Sequence, residues 1–278
     1  MQKRVEKSMQ RECAQSEREL AKAGRRGKGR DKAVHQLRKS LQRLRAMLHL
    51  LCDVDPIHLP KLERDIKRFR RRFSRLRDAA VRLDLARELA GRSPDDCELL
   101  TQVCEGLQAR LDEVWLGFSD PFWHRAQADL ARLHGRLHRV SLATLRAEDL
   151  QASLERARKK ARKAIVGALG LDRRVLRHRM RCKVRRYAAM RRLRQEWLGG
   201  RDALASVLVD LGKRLGREGD LWLSAEAVHT LDEPATVAEL RRTLRSARRE
   251  RVREHDGELA AWLRRCFARK ERAQPALA

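Results

Sequence analysis

Aromatic residues, proline and glycine are scarce in this chain. Aromatics make up 4% of its 278 residues, and there are 6 prolines and 15 glycines. Leu, Ala, Arg and Glu, which are good helix formers, dominate instead. No run of alternating β-branched residues indicates a strand. The composition therefore predicts an all-α protein.

Long hydrophobic runs are also missing. No stretch approaches the ~20 apolar residues of a membrane-spanning helix, and residues 1–7 lack the apolar core of a signal peptide. We therefore expect a cytoplasmic protein with no membrane partner. The 6 cysteines are scattered along the chain, which is typical of small buried hydrophobic residues rather than of a disulfide or metal framework.

Acidic residues are greatly outnumbered. The chain has 66 Lys and Arg against 38 Asp and Glu, a formal net charge of +28. Its hydrophobic content of 42% still exceeds that of disordered chains, and its length allows a sizeable core. So large an excess of positive charge in a folded protein implies an anionic partner.

Breaks rich in Gly, Pro and Asp divide the chain into a series of expected helices. Asp31 is expected to cap the second helix, and Gly199-Gly200 and the segment from Gly216 to Gly219 are expected to interrupt the second half. A turn is expected at 91–96 and a frayed tail at 274–278. The expected helices are 1–22, 31–52, 60–89, 96–116, 121–140, 148–168, 172–197, 202–217, 222–231 and 236–270.

The second expected helix combines an apolar seam with a basic stripe. Apolar residues step by three and four, which predicts one buried face: Val34, Leu37, Leu41, Leu44, Leu48 and Leu51. About 100° around the helix lie His35, Arg38, Gln42 and Arg45. No Asp or Glu occurs between Lys32 and Leu51. Like charges at this spacing repel each other, and a bound anion would relieve that repulsion.

Two features of the first half recur in the second half. The same three-four-three step appears at Leu176, Arg179, Lys183 and Arg186, and Arg77-Asp78-Ala79-Ala80 is echoed by Arg201-Asp202-Ala203-Leu204. Two echoes in the same order favour an internal duplication of a helical unit. Arg-rich helices also resemble one another by chance, so the residues alone do not distinguish a duplication from a coincidence.

These motifs together resemble a known family. Val34-His35-x-x-Arg38-x-x-x-x-Arg43-Leu44-Arg45 resembles the signature of the CHAD family, the conserved histidine α-helical domain. Its other elements are matched in order by Lys67, by Phe73-Ser74-Arg75-Leu76-Arg77-Asp78, by Lys183-x-x-Arg186-Tyr187, and by Gly199-Gly200 with Arg201-Asp202-Ala203-Leu204-Ala205. The chain departs from the family pattern at Lys39, Gln42, Ala80 and Leu176, where Leu176 replaces the second-half His. It resembles a divergent, stand-alone member.

The resemblance implies a fold and a ligand. It implies two pseudo-symmetric antiparallel helical bundles around a basic central groove or cavity, within a single domain over 1–278 whose halves span about 1–145 and 146–278. It implies non-catalytic binding of inorganic polyphosphate and association with polyphosphate granules. The candidate contacts are His35, Arg38, Arg45, Lys67, Arg179, Lys183 and Arg186. Arg77 either contacts the ligand or bridges helices, and Arg71 is added from helix geometry because it follows Lys67 by four residues.

Polyphosphate chemistry suits such residues. Polyphosphate is a linear chain with about one charge per phosphate, so its binding site requires cations spaced along the chain. Arg can donate two N–H groups to phosphate oxygens at once, and Lys supplies a point charge. His35 would either add a contact that strengthens on protonation or lie neutral and hydrogen-bonded inside the bundle. Binding is expected to weaken steeply with salt.

The residues also bear on other functions. The chain has no Gly-rich phosphate loop, no Gly-x-Ser-x-Gly turn and no Glu-x-Glu-x-Lys strand of triphosphate tunnel enzymes, so we expect no catalysis and no cofactor. His134 and His138 are spaced as a metal pair but lack a third ligand, so no metal site is expected. Nonspecific RNA or DNA binding is the main alternative, because net charge favours it equally. A scaffold that recruits granule-associated proteins is a third class.

Overall fold

The computed structural model describes residues 1–90, 97–228 and 236–267. These residues form ten helices and no strand, which confirms the all-α prediction for the part of the chain described. The helices are α1 Gln2–Gly24, α2 Arg30–Leu50, α3 His58–Arg71, α4 Ser74–Ala90, α5 Cys97–Leu116, α6 Asp120–His138, α7 Ala147–Val166, α8 Arg174–Leu198, α9 Ala203–Val228 and α10 Thr236–Phe267. The turn expected at 91–96 and the frayed tail lie outside the described residues.

The apolar seam of α2 is the best-predicted part of the core. All six seam residues are at most 1% exposed. The expected cap of this helix is wrong: Gly29 occupies the N-cap with φ of +89° and no side-chain capping bond, and Asp31 lies in the first turn. A carboxylate in the first turn still stabilises the helix through its macrodipole, so Asp31 favours α2 without being its N-cap.

The helix expected over 60–89 is two helices, α3 and α4. The backbone turns at Arg72 and Phe73, and Phe73 is fully buried. Its ring centroid lies 5.5 Å from that of Phe69, 5.8 Å from Phe122 and 6.0 Å from Trp123. The apolar spacing continues through the turn, so periodicity alone gave no sign of it; the packing of Phe73 among distant aromatic rings supports the turn.

The break expected between Gly216 and Gly219 is also wrong, because α9 continues through it. A Cβ added to Gly219 would lie 2.1 Å from Nη1 of Arg181, and one added to Gly212 would lie 3.0 Å from Cγ of Arg185. These two glycines admit long side chains of α8 close to the α9 backbone and do not end the helix. The expected break at Gly199 and Gly200 is confirmed, with φ of +86° and +85°.

The chain forms two compact units. Unit 1 comprises Met1–Glu155 and Ala188–Ser206, and unit 2 comprises Arg156–Tyr187 and Val207–Ala278. In unit 1, α2 packs against α1, α3 and α4, α6 packs against α1 and α3, and α5 packs against α4. The described core of unit 2 includes Ile165, Met180, Val184 and Leu208. Since α8 contributes to both units, the units do not follow chain order; the two halves, their pseudo-symmetry and the groove stay predictions.

Candidate functional site

Arg38 of α2 braces the turn between α3 and α4. Its Nη1 donates to the carbonyl oxygen of Arg70 at 3.1 Å and to Oγ of Ser74 at 3.0 Å. Arg70 lies at the end of α3, and its carbonyl oxygen also accepts from the backbone N–H of Phe73 at 3.4 Å. Burial lowers the pKa of Arg38, and the nearby carboxylate of Asp78 opposes that effect. This candidate contact therefore already has a structural role within unit 1.

Arg45 has an internal carboxylate partner. Its Nε donates to Oε1 of Glu63 on α3 at 2.8 Å, and the two side chains are 12% and 11% exposed. Nε2 of His49 lies 3.2 Å from the same oxygen. Burial alone would raise the pKa of Glu63, but His49 and Arg45 outweigh it and lower that pKa to about 2. The charge of Arg45 is thus largely compensated by Glu63.

Lys67 and Arg71 differ from these arginines. They lie four residues apart on one face of α3, with Lys67 half-buried and Arg71 exposed. Neither forms an ion pair or a hydrogen bond with another described residue. Arg77 of α4 has a weak partner, with Nη1 3.7 Å from Oδ2 of Asp84. His35 is half-buried on α2. In unit 1, Lys67 and Arg71 are therefore the candidates with the most available charge.

A cluster of cations occupies the first half of α8 in unit 2. Arg179 is exposed, and Lys183 and Arg186 are half-buried. Burial lowers the pKa of Lys183, and the charges of Arg186, Lys160 and Arg179 lower it further. Lys160 belongs to α7 and was not predicted, because nothing distinguishes it within the run Arg158-Lys159-Lys160. The structure thus brings the three predicted residues of unit 2 together with a fourth cation; we call these four the α8 cation cluster.

A buried ionic network lies near this cluster and was missed by sequence reasoning. Arg177 donates Nε to Oε1 of Glu218 at 2.8 Å and Nη2 to Oε2 at 2.6 Å, and its Nη1 donates to Asp256. Nδ1 of His255 lies 3.0 Å from Oε2 of Glu218. Arg177 shares a helix face with the buried Met180 and Val184. Helical spacing puts Arg177 at a position of α8 that is otherwise apolar. A charged residue at such a position could have predicted a buried acidic partner.

Arg43, which is part of the α2 signature, is held in a second network. Its Nε lies 2.9 Å from Oε1 of Glu12, and its Nη2 contacts Glu196. Nη2 of Arg11 also contacts Glu196, at 2.7 Å. All four residues belong to unit 1, where they tie α1 and α2 to the end of α8. The signature arginines thus include residues that stabilise the fold.

His134 has protein partners at both ring nitrogens. Nε2 lies 3.2 Å from Oγ of Ser16 and Nδ1 lies 2.6 Å from Oε1 of Glu17, both on α1. Burial lowers the pKa of His134, and Glu17 opposes that effect. Within 1–90, 97–228 and 236–267 no group of three or more His, Cys, Asp or Glu is arranged to hold a metal ion. No helix in the same ranges is long and apolar enough to cross a membrane.

Comparison with known proteins decides the family. A family model described as the CHAD domain matches residues 10–188, more than half of the chain. The chain belongs to the CHAD family. This CHAD protein is also similar to a solved structure, the crystal structure of the CHAD domain from the plant Ricinus communis, with a TM-score of 0.56 and 20% sequence identity. The match covers 92% of this chain and 84% of that one. At this identity the likeness shows the fold alone. A search of curated proteins found no match.

Proposed function

We propose that this CHAD protein binds inorganic polyphosphate without catalysing a reaction, and that this binding associates it with polyphosphate granules in the cytoplasm. The α8 cation cluster carries the proposal. Among the described residues, Lys183, Arg179 and Lys160 form no ion pair with a carboxylate. These three cations lie together without a carboxylate partner among the described residues, so they raise one another's energy, and the effect is larger for the half-buried Lys183. A polyanion would relieve this repulsion.

Unit 1 supports the proposal through α3. Side chains four residues apart on a helix are about 5–6 Å apart, which is comparable to the advance of one or two phosphate units. Lys67 and Arg71 have this spacing. Arg38, Arg45 and Arg77 have protein partners. We therefore propose that they stabilise the fold and contribute to the local positive potential. We assign direct phosphate contacts to Lys67, Arg71 and the α8 cation cluster.

A competition assay tests the choice of ligand. Labelled long-chain polyphosphate would be bound at near-physiological ionic strength and challenged with unlabelled polyphosphate, RNA or DNA at equal phosphate concentration. Nucleic acids bind any strongly basic protein at low salt, so the salt concentration is essential. We expect only polyphosphate to displace the label. Equal competition by RNA or DNA would overturn the proposal in favour of general nucleic-acid binding.

A pair of matched variants tests the site. Lys67→Gln with Lys183→Gln removes two charges from the proposed contacts. Lys61→Gln with Lys213→Gln removes two charges from exposed positions of α3 and α9. The first variant should bind polyphosphate at least about tenfold more weakly than the second, because a hydrogen bond to a charged group contributes roughly 1.5–3 kcal/mol. Equal affinities, with unchanged helicity by circular dichroism, would place the contacts elsewhere.

A further inference from the structure

Two antiparallel helices of unit 1 carry the same charged motif. The first, Asp65-Ile66-x-Arg68-Phe69-x-x-Arg72, runs along α3 to the residue that caps its C-terminus, and the second, Asp129-Leu130-x-Arg132-Leu133-x-x-Arg136, lies on α6. In both helices an Asp is followed by Arg after three and after seven residues, with an apolar residue after four. Residues with these spacings lie on one helix face, so each motif presents one acid and two guanidinium groups together.

The two motifs contact each other reciprocally. Oδ2 of Asp65 accepts a hydrogen bond from Nη1 of Arg136 on the other helix at 2.6 Å, and Asp65 also pairs with Arg68 on its own helix. Asp129 in turn accepts from Arg72 across the interface, and it pairs with Arg132 on its own helix. The paired positions run in opposite directions along the two helices, which gives the contact a local two-fold character.

These side chains surround a cavity of about 390 Å³, whose lining also includes Phe69 and Leu133. Burial would raise the pKa of Asp65, but hydrogen bonds from Arg136 and Arg68 outweigh it and lower that pKa. Hydrogen bonds from Arg72 and Arg132 lower the pKa of Asp129. Both carboxylates are therefore ionised at neutral pH. Four guanidinium groups against two carboxylates leave a surplus of two positive charges at the cavity.

We propose that this cavity between α3 and α6 is a binding site for a phosphate dianion, either as inorganic phosphate or as the phosphoryl group of a small monoester. A dianion would neutralise the surplus. A guanidinium has five N–H donors in a planar fork, so an arginine that holds one carboxylate keeps donors for a second acceptor. The cavity volume lies at the lower end of the range for small-molecule sites, about 300–1,000 Å³, which suits a compact ligand.

The cavity is separate from the contacts proposed for polyphosphate. At about 100° per residue along α3, the mean direction of Asp65, Arg68, Phe69 and Arg72 lies roughly 130° from that of Lys67 and Arg71. The site therefore faces another side of the helix, and it does not depend on the proposed polyphosphate function. Either proposal can fail while the other holds.

Isothermal titration calorimetry with inorganic phosphate tests the site. The titration is made at about pH 8, where phosphate is mostly dianionic, for wild type and two variants of equal charge change. Arg68→Gln with Arg132→Gln removes two guanidinium groups from the cavity. Arg64→Gln with Arg125→Gln removes two exposed arginines from the same helices, each of which donates Nε to a proline carbonyl of its own helix. We expect the cavity variant to bind phosphate at least about tenfold more weakly than its control. Equal affinities would overturn the proposal.

A variant with the opposite charge change sharpens the test. Asp65→Asn with Asp129→Asn raises the surplus at the cavity, so phosphate should bind more tightly even though four ion pairs are lost. Weaker phosphate binding by this variant, when folded, would mean that the motifs are only a clamp between helices. If it does not fold, the arginine comparison still decides.

Titration with AMP identifies the source of the phosphate group. Tighter binding of AMP than of inorganic phosphate, lost in the cavity variant, supports a monoester. Binding of inorganic phosphate alone, lost in the same variant, supports the free ion. Long-chain polyphosphate should bind the cavity variant and its control equally, which separates this site from the α8 cation cluster.

Discussion

Arg45 of α2 donates its Nε–H to Oε1 of Glu63 on α3, at a distance of 2.8 Å. The two side chains are nearly buried, and His49 approaches the same oxygen. A buried carboxylate is tolerated only when it is paired and hydrogen-bonded. The pair therefore fixes α3 on α2, the helix that carries the family signature, and so positions Lys67 and Arg71 indirectly.

Removing the carboxylate should destabilise unit 1. Glu63→Gln leaves the guanidinium of Arg45 in a nearly buried position without a counter-charge, and breaking such a pair costs about 3 kcal/mol. Urea unfolding followed by circular dichroism measures the loss. The control is Asp84→Asn, because Asp84 is 69% exposed and 3.7 Å from Arg77; that change should cost less than about 1 kcal/mol. Equal losses would show that Glu63 and Arg45 contribute no more than a surface pair.

The same carboxylate predicts a dependence of stability on pH. Its pKa is lowered from 4.5 to about 2 in the folded protein, so the folded state binds the proton less readily than the unfolded state does. The stabilisation is fully present above about pH 4.5 and is lost as the pH falls towards 2. A shift of this size corresponds to about 3 kcal/mol. The difference in unfolding free energy between wild type and Glu63→Gln should shrink over that window; a constant difference would contradict the assignment.

Unit 2 should depend on its buried arginine. Arg177→Met leaves Glu218 and Asp256 without the guanidinium that now bridges them, and only His255 remains to compensate Glu218. We expect a loss of about 3–5 kcal/mol in unfolding free energy. Arg214→Met is the matched control, because Arg214 and Glu258 are 44% and 43% exposed, and that pair should contribute at most about 1 kcal/mol. A small effect of Arg177→Met would mean that the network is energetically neutral.

Two glycines of α9 should respond differently to alanine. A Cβ at Gly216 meets nothing within 4 Å, so Gly216→Ala should stabilise the helix by about 1 kcal/mol through propensity. At Gly219 the same change displaces the guanidinium of Arg181, which now donates to the carbonyl of Gly216 at 3.3 Å. Gly219→Ala should therefore be less stable than Gly216→Ala by thermal unfolding. Equal melting temperatures would show that Arg181 moves without cost.

The local sequence pattern was sufficient to predict most of the helices and the family. The apolar seam of α2, the break at Gly199 and Gly200, and most helix bounds follow from the spacing of apolar residues and from turn residues, which act over a few positions. The turn at Phe73 and the continuity of α9 did not follow. The backbone turns at Phe73, where rings from α6 pack around the side chain. A glycine stands at position 219 inside α9 because Arg181 of α8 occupies the space beside it. Both depend on residues distant in sequence.

The basic residues show the same division. By itself the sequence determined that Arg38, Arg45, Arg179 and Lys183 lie on basic helix faces, because helical spacing decides which residues share a face. Only the tertiary structure decided that Arg38 and Arg45 have internal partners, whereas Lys183 lies among other cations. The physical reason is that the environment of a charge depends on the groups that folding brings within a few ångströms. Glu63 lies on α3 and Lys160 on α7, whereas the two basic stripes lie on α2 and α8.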